Sequence, residues 1–282
     1  MKDWLNVRRG EAPLILSLPH TGTDIPAEYE KTFVSPSLAR RDTDWWVDQL
    51  YDFAAAEFDA TIIRTSISRS IIDVNRDPSG VSLYPGQATT ELCPTTTFDG
   101  DPLYKENHAP DSAGVADRRA RYFDPYHAAV AHELIRLRAL HPVVVLYDCH
   151  SIHSVVPRLF KGVLPEFNIG TNDGKSCAAE LSQRIVEICA DSGRSHVLNG
   201  RFKGGWITRH HAAPSKGVHA VQMEIACRAY MREPIEPLSD RNWPPRFDAA
   251  HAAPLRDVLR RVLSACRDFA APAASSLLPD QP

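Results

Sequence analysis

Apolar runs that end in polar clusters recur along this chain. LILSLPH carries Leu14–Leu18 into His20, and SIIDVNRDP carries Ile71 and Ile72 into Asp73, Asn75 and Arg76. VVVLYDCHS carries Val143–Tyr147 into Asp148, His150 and Ser151, while HAVQMEIA holds Glu224 inside an apolar stretch. Runs of this length, rich in Val and Ile, predict buried strands of a mostly parallel sheet. In open α/β sheets, ligands bind outside the carboxyl ends of the strands. The pattern therefore predicts that His, Asp, Arg and Glu side chains converge on one edge of a sheet.

The rest of the chain fills in around those runs. Strands are predicted at Leu14–Leu18, Ala60–Arg64, Ser70–Val74, Val143–Tyr147 and HAVQMEIA, with a short strand and turn at SHVLNGRF. Helices are predicted through DWWVDQLYDFAAAEF, capped by Asp42 or Thr43, and over Asp117–Leu140, Cys177–Cys189 and Arg246–Phe269. His127, His132 and His141 fall on the solvated face of the second helix. Residues 1–12 read as a polar lead-in, and KGVLPEFNIGTNDG reads as a Gly/Pro loop. The long segment 77–113, rich in Pro, Gly, Thr and Asp, keeps aromatics at Tyr84, Phe98 and Tyr104, which predicts an ordered loop near the site. The strand–helix alternation gives one α/β domain over 1–270, with a mixed or mostly parallel sheet flanked by helices, and a fraying tail over 271–282.

Bulk properties narrow the function classes. A 282-residue chain with 43% hydrophobic residues fits a soluble globular domain. A net charge of -3 argues against a broad nucleic-acid surface. No apolar stretch is long enough to span a membrane, and the charged start MKDWLNVRRGEAP lacks a signal core, so the expected location is the cytoplasm. The 6 cysteines form no CxxC pair and are irregularly spaced, so a disulfide framework is not expected. Cys149 beside His150 raises a thiol nucleophile, but strand alternation turns it to the opposite face. No feature marks an oligomeric state.

The candidate chemistry is that of a metal hydrolase. A catalytic zinc takes three protein ligands and leaves a position open. His20 and His150, each after a strand, are the first two candidates. The third is a carboxylate of DTDWW, assigned to Asp44 with Asp42 as the alternative, since one can cap a helix while the other binds metal. Another divalent ion would suit the same donors. Asp148, two residues before His150, shares its face and suits an orienting contact. Glu224, a carboxylate in an apolar strand, has the surroundings of a general base. Arg76 with Asn75 suits a carboxylate clamp, Arg69 an oxyanion, and Arg209 a second carboxylate.

With these residues in place, the chain resembles the N-formylglutamate amidohydrolases from about Leu14 to Met231. The matching segments are SLPHTG, DTDW, SRSIIDVNRDP, the stretch from LYPG through TTFDGDPLY, DCHSI, LPEFNIGT, NGRFKGGWITRHH and GVHAVQMEIA. The resemblance implies a fold related to zinc carboxypeptidases and aspartoacylase-type deacylases. It also implies one zinc on two His and a carboxylate, a late-strand Glu as base and an Asn-Arg substrate clamp. The implied substrate is a small N-acyl amino acid, N-formyl-L-glutamate, cleaved to L-glutamate and formate in histidine breakdown. A deacylase for another N-acyl amino acid, or an inactive binding protein of the same fold, are the alternatives. Two departures stand out. No acid follows His20 in a His-x-x-Glu pattern, and Trp46 follows DTDW where the family often has His.

Overall fold

Seven strands pair into one sheet among the described residues, 3–235 and 237–271 of a computed structural model. They are β1 (Leu5–Arg8), β2 (Leu14–Leu18), β3 (Thr61–Thr65), β4 (Val144–Ile152), β5 (Phe167–Gly170), β6 (His196–Leu198) and β7 (Val218–Ala226). Their order is β1-β3-β2-β4-β7-β5-β6. The middle four, β3, β2, β4 and β7, are parallel, while β1 and β5 join antiparallel. The sheet is mixed around a parallel centre, as the apolar runs predict.

Alternation along the strands sorts two cores. Leu14, Leu16, Val145, Tyr147, Cys149, Val221 and Met223 pack against the helices Ala179–Asp191 and Ala249–Ala270 on one face. Ile15, Val144, Leu146, Val218 and Ala220 pack against the helix Asp124–Arg138 on the other. The chain runs from β2 to β3 on one side and then returns to β4 on the other. That reversal opens a crevice at the carboxyl ends of β2 and β4.

Several local expectations are corrected. The predicted DWW helix starts only at Val47, because Trp46 takes a left-handed φ of 63°, and is broken at Tyr51 into Val47–Leu50 and Ala54–Phe58. Ser70–Val74 is a run of turns rather than a strand; Ile71, Ile72 and Val74 bury themselves in the second core without joining the sheet. The polar lead-in contains β1, an edge strand of alternating exposure, and the Gly/Pro loop contains the fully buried β5. His127 is buried rather than solvated: its Nε2 donates to the Val74 carbonyl at 2.8 Å, and its Nδ1 accepts from His211 Nε2 at 2.9 Å. His132 is exposed as expected. The tail expectation falls, beyond Ala271, outside the described residues. No helix of the described residues is long and apolar enough to cross a membrane.

Candidate active site

Three strands change from apolar to polar at the same level of the sheet. On the face that buries Val144 and Leu146, β4 continues with Asp148 and His150; β7 follows Val218 and Ala220 with Gln222 and Glu224; β2 follows Ile15 with Ser17. Parallel register aligns Ser17 with Asp148, Asp148 with Gln222, and His150 with Glu224. Asp148 and His150 thus lie within β4, one strand length further than the apolar run alone predicts.

His20 follows β2, and the Asp44 N–H donates to its carbonyl at 2.9 Å. This bond brings the DTDW turn over the strand ends. His20 Nδ1, His150 Nδ1 and Asp44 Oδ2 then converge, with separations of 3.2 Å between the two nitrogens, 3.1 Å from His150 to Asp44, and 3.5 Å from His20 to Asp44. An ion about 2.0–2.1 Å from each of three tetrahedral donors needs them roughly 3.3–3.4 Å apart. The buried N, N, O set therefore fits a zinc-sized ion. Asp42 does not join it: its carboxylate accepts from the Phe98 N–H at 2.8 Å and ties down the long loop.

The far nitrogens of both rings meet polar partners. His20 Nε2 donates to Asp73 Oδ1 at 2.7 Å. His150 Nε2 lies 3.0 Å from Asp148 Oδ2 and 3.0 Å from the Asn75 side-chain nitrogen. Asp148 Oδ2 makes no aligned hydrogen bond, while Oδ1 accepts from Ser17, whose hydroxyl also meets Tyr126. Such outer contacts orient a ligand imidazole and fix which nitrogen faces the ion.

Charge is dense here. Burial opposes ionisation of Asp44, but His20, His150 and Arg69 outweigh it and hold the carboxyl below its ordinary range. Asp73 is held well down against burial by His20, Arg69 and Arg76. His150 is held well up, since Asp148 and Asp44 outweigh burial. Glu224 behaves oppositely: burial pushes its carboxyl up to about 7 against the pull of His150. Gln222 Nε2 donates to Glu224 Oε2 at 3.2 Å, and Gln222 Oε1 accepts from the Gly205 N–H at 2.7 Å.

The arginines and Asn75 are placed unevenly. Arg69 donates to Asp44 at 3.2 Å and Asp73 at 2.6 Å, so it braces those carboxylates at the cleft wall. Asn75 Oδ1 accepts from the Ile207 N–H at 2.8 Å and its side-chain nitrogen lies 3.0 Å from His150 Nε2, so its side chain is packed as a brace at the site. Arg76 lines the cleft, with Nη2 on Thr90 and Nε 3.4 Å from Asp73. Arg209 does not line the cleft. The short helix Trp206–His211 carries it behind Tyr84, where its Nε donates to the Gly204 carbonyl. Trp46 also points away, its Nε1 donating to the Pro245 carbonyl at 2.8 Å. Cys149 is fully buried on the opposite face, and burial drives its thiol well up, which is unsuited to a nucleophile.

Sequence reasoning gave Asp73, Gln222, Ser17 and Arg201 no role. Asp73 carried the same signal as Asp148, an acid at the end of an apolar run. Gln222 lies two residues before Glu224, as Asp148 does before His150.

Comparison with known proteins agrees with the motif resemblance. Residues 12–231 match the family model described as FGase, N-formylglutamate amidohydrolase. A Pseudomonas aeruginosa protein named N-formylglutamate deformylase is 44% identical over 268 residues, covering 93% of this chain and 96% of its own. A Pseudomonas putida protein of the same name is 43% identical over 270 residues, covering 94% and 96%. Among solved structures, an N-formylglutamate amidohydrolase from Ralstonia eutropha JMP134 shares the fold at a TM-score of 0.76 and 23% identity, covering 95% of this chain and 98% of its own. A gene product from Agrobacterium tumefaciens shares it at 0.67 and 20% identity, covering 93% and 95%.

Proposed function

The chain belongs to the N-formylglutamate amidohydrolase family, and from that premise we propose that it hydrolyses N-formyl-L-glutamate to L-glutamate and formate with one zinc ion. The observation that carries the reading is the convergence of His20, Asp44 and His150 beside Glu224, the register partner of His150.

His20, Asp44 and His150 would hold the ion. When bound, zinc supplies Lewis acidity toward water and toward the formyl carbonyl. Glu224, with its carboxyl near neutrality, takes a proton from the attacking water and delivers it to the departing amine. Gln222 keeps the Glu224 carboxylate aimed along the strand face. Arg69 steadies Asp44 and Asp73 and adds positive potential at the cleft wall where negative charge develops. Arg76 offers its planar fork to a substrate carboxylate, so that binding energy positions the formyl group.

The test is formate release from N-formyl-L-glutamate by purified protein, before chelation, after chelation and after zinc is restored. Activity lost on chelation and regained with zinc is the expected result. Formate release indifferent to chelation would overturn the metal mechanism, and no release from a zinc-loaded, folded protein would overturn the substrate.

A further inference from the structure

Three arginines line the cleft, and only one of them lacks an acid. Arg69 is bonded to Asp44 and Asp73, and Arg76 lies 3.4 Å from Asp73. Arg201, in the segment after β6, makes no ion pair among the described residues. It is held in place all the same. Its Nε donates to the Leu159 carbonyl at 2.8 Å and its Nη2 to the Ala88 carbonyl at 2.8 Å. Its guanidinium lies 5.2 Å from the ring centres of both Tyr84 and Phe202. Nη1 makes no hydrogen bond to the described residues. Burial depresses the basicity of Arg201 and the like charge of Arg76 adds to it, outweighing the opposite pull of Tyr84 and Glu224.

A half-buried guanidinium, oriented by two carbonyls and two rings and facing a second arginine, is costly unless an anion completes it. No carboxylate pairs with it directly among the described residues, Glu224 acting on it only across the cleft, which also holds His20 and His150. Arg209, by contrast, lies outside that cleft, behind Tyr84.

We infer that Arg201 is the specificity-determining residue that takes the side-chain carboxylate of an N-acyl dicarboxylic amino acid, while Arg76 takes the other carboxylate. This rests on the proposed amidohydrolase reading and refines it. The preformed fork selects a charged side chain, because a neutral amide of the same shape leaves the guanidinium uncompensated. Arg209 supports the Tyr84 ring and does not touch substrate.

The experiment compares kcat/KM for N-formyl-L-glutamate and N-formyl-L-glutamine in the wild type, Arg201→Met, Arg201→Lys and Arg209→Met, each zinc-loaded and checked for folding by circular dichroism. Binding of glutarate and of butyrate is measured in parallel by calorimetry. Arg201→Met is expected to lower the glutamate-to-glutamine ratio by about 10- to 100-fold, mostly through KM, as loss of a charged hydrogen-bonded pair predicts. Arg201→Lys should recover part of the ratio, and Arg209→Met should leave it within about threefold. Glutarate binding should weaken at least tenfold in Arg201→Met, with butyrate binding little changed. A folded Arg201→Met, or Arg201→Lys if the former fails to fold, that keeps both the wild-type ratio and glutarate affinity would overturn the inference. So would a collapse of the ratio in Arg209→Met alone. A wild type that hydrolyses neither compound yet binds glutarate through Arg201 would sink the proposed reaction and leave this inference standing. A wild type that neither hydrolyses nor binds would sink both.

Discussion

His150 and Glu224 are direct register partners on adjacent parallel strands, so the candidate metal ligand and the candidate base share one rigid backbone frame. Glu224→Gln keeps the shape and the Gln222 contact but removes the proton acceptor. Turnover should fall by about 10²- to 10⁴-fold while bound zinc, measured by metal analysis of the dialysed protein, stays near one per chain. A variant that keeps more than a tenth of wild-type formate release would remove Glu224 from the mechanism.

The same carboxyl sets the acid limb of the rate profile. Because burial raises it to about 7, the ionised base is lost as pH falls. The expected kcat/KM therefore declines already above pH 5, at a point between that buried value and the roughly 4.3 of an ordinary Glu, toward which a bound cation pulls the carboxyl. A profile flat from pH 5 to 8 would contradict this assignment.

Asp73 fixes the far nitrogen of His20 at 2.7 Å. Asp73→Asn removes the charge that orients this imidazole and leaves Arg69 with Asp44 as its remaining acid. Zinc affinity, read by competition with a chromophoric chelator, should drop about 10- to 100-fold. An unchanged affinity would mean that His20 is oriented by other contacts.

Gly205 has no room for a side chain. An added Cβ would fall 2.5 Å from Asn75 Cγ and Oδ1. Gly205→Ala must push Asn75 off both the Ile207 N–H and His150, at a cost of about 1–3 kcal/mol. Thermal unfolding and formate release should both report the loss.

The buried His127 makes stability pH-dependent. Its pKa falls from 6.5 to about 4, chiefly through burial. Between those values the unfolded chain binds the proton and the native one does not, so stability declines as pH drops below 6.5. The decline amounts to roughly 1 kcal/mol by pH 5.5. His127→Gln should lessen the fall in melting temperature over pH 7 to 5, the remainder coming from His211, which burial pushes down to about 3.

Much of the site was legible because its residues sit on alternating strand positions. His150 and Glu224 were recognisable as polar residues in apolar runs, and His20 as the first residue past a strand end and its proline. The choice of Asp44 over Asp42 was not legible, since it depends on a backbone bond to His20 and on the Phe98 N–H, both long-range. Arg201 was invisible for a similar reason. Its neighbours Ala88 and Leu159 come from distant loops, so nothing in NGRFKGG distinguishes it from Arg209. His127 was misplaced because helical periodicity shows which residues share a face, and not whether another histidine covers that face.

The shared level at which β2, β4 and β7 turn polar also bears on motion. Asp148, His150, Gln222 and Glu224 belong to strands covered on both faces, so they are freed only when the sheet itself opens. Asp44 and Asp73 are buried as well but sit on turns outside the sheet, where opening does not require the strands to part. Amide hydrogens near His150 and Glu224 should exchange as slowly as the global unfolding rate allows, and those of the DTDW turn much faster.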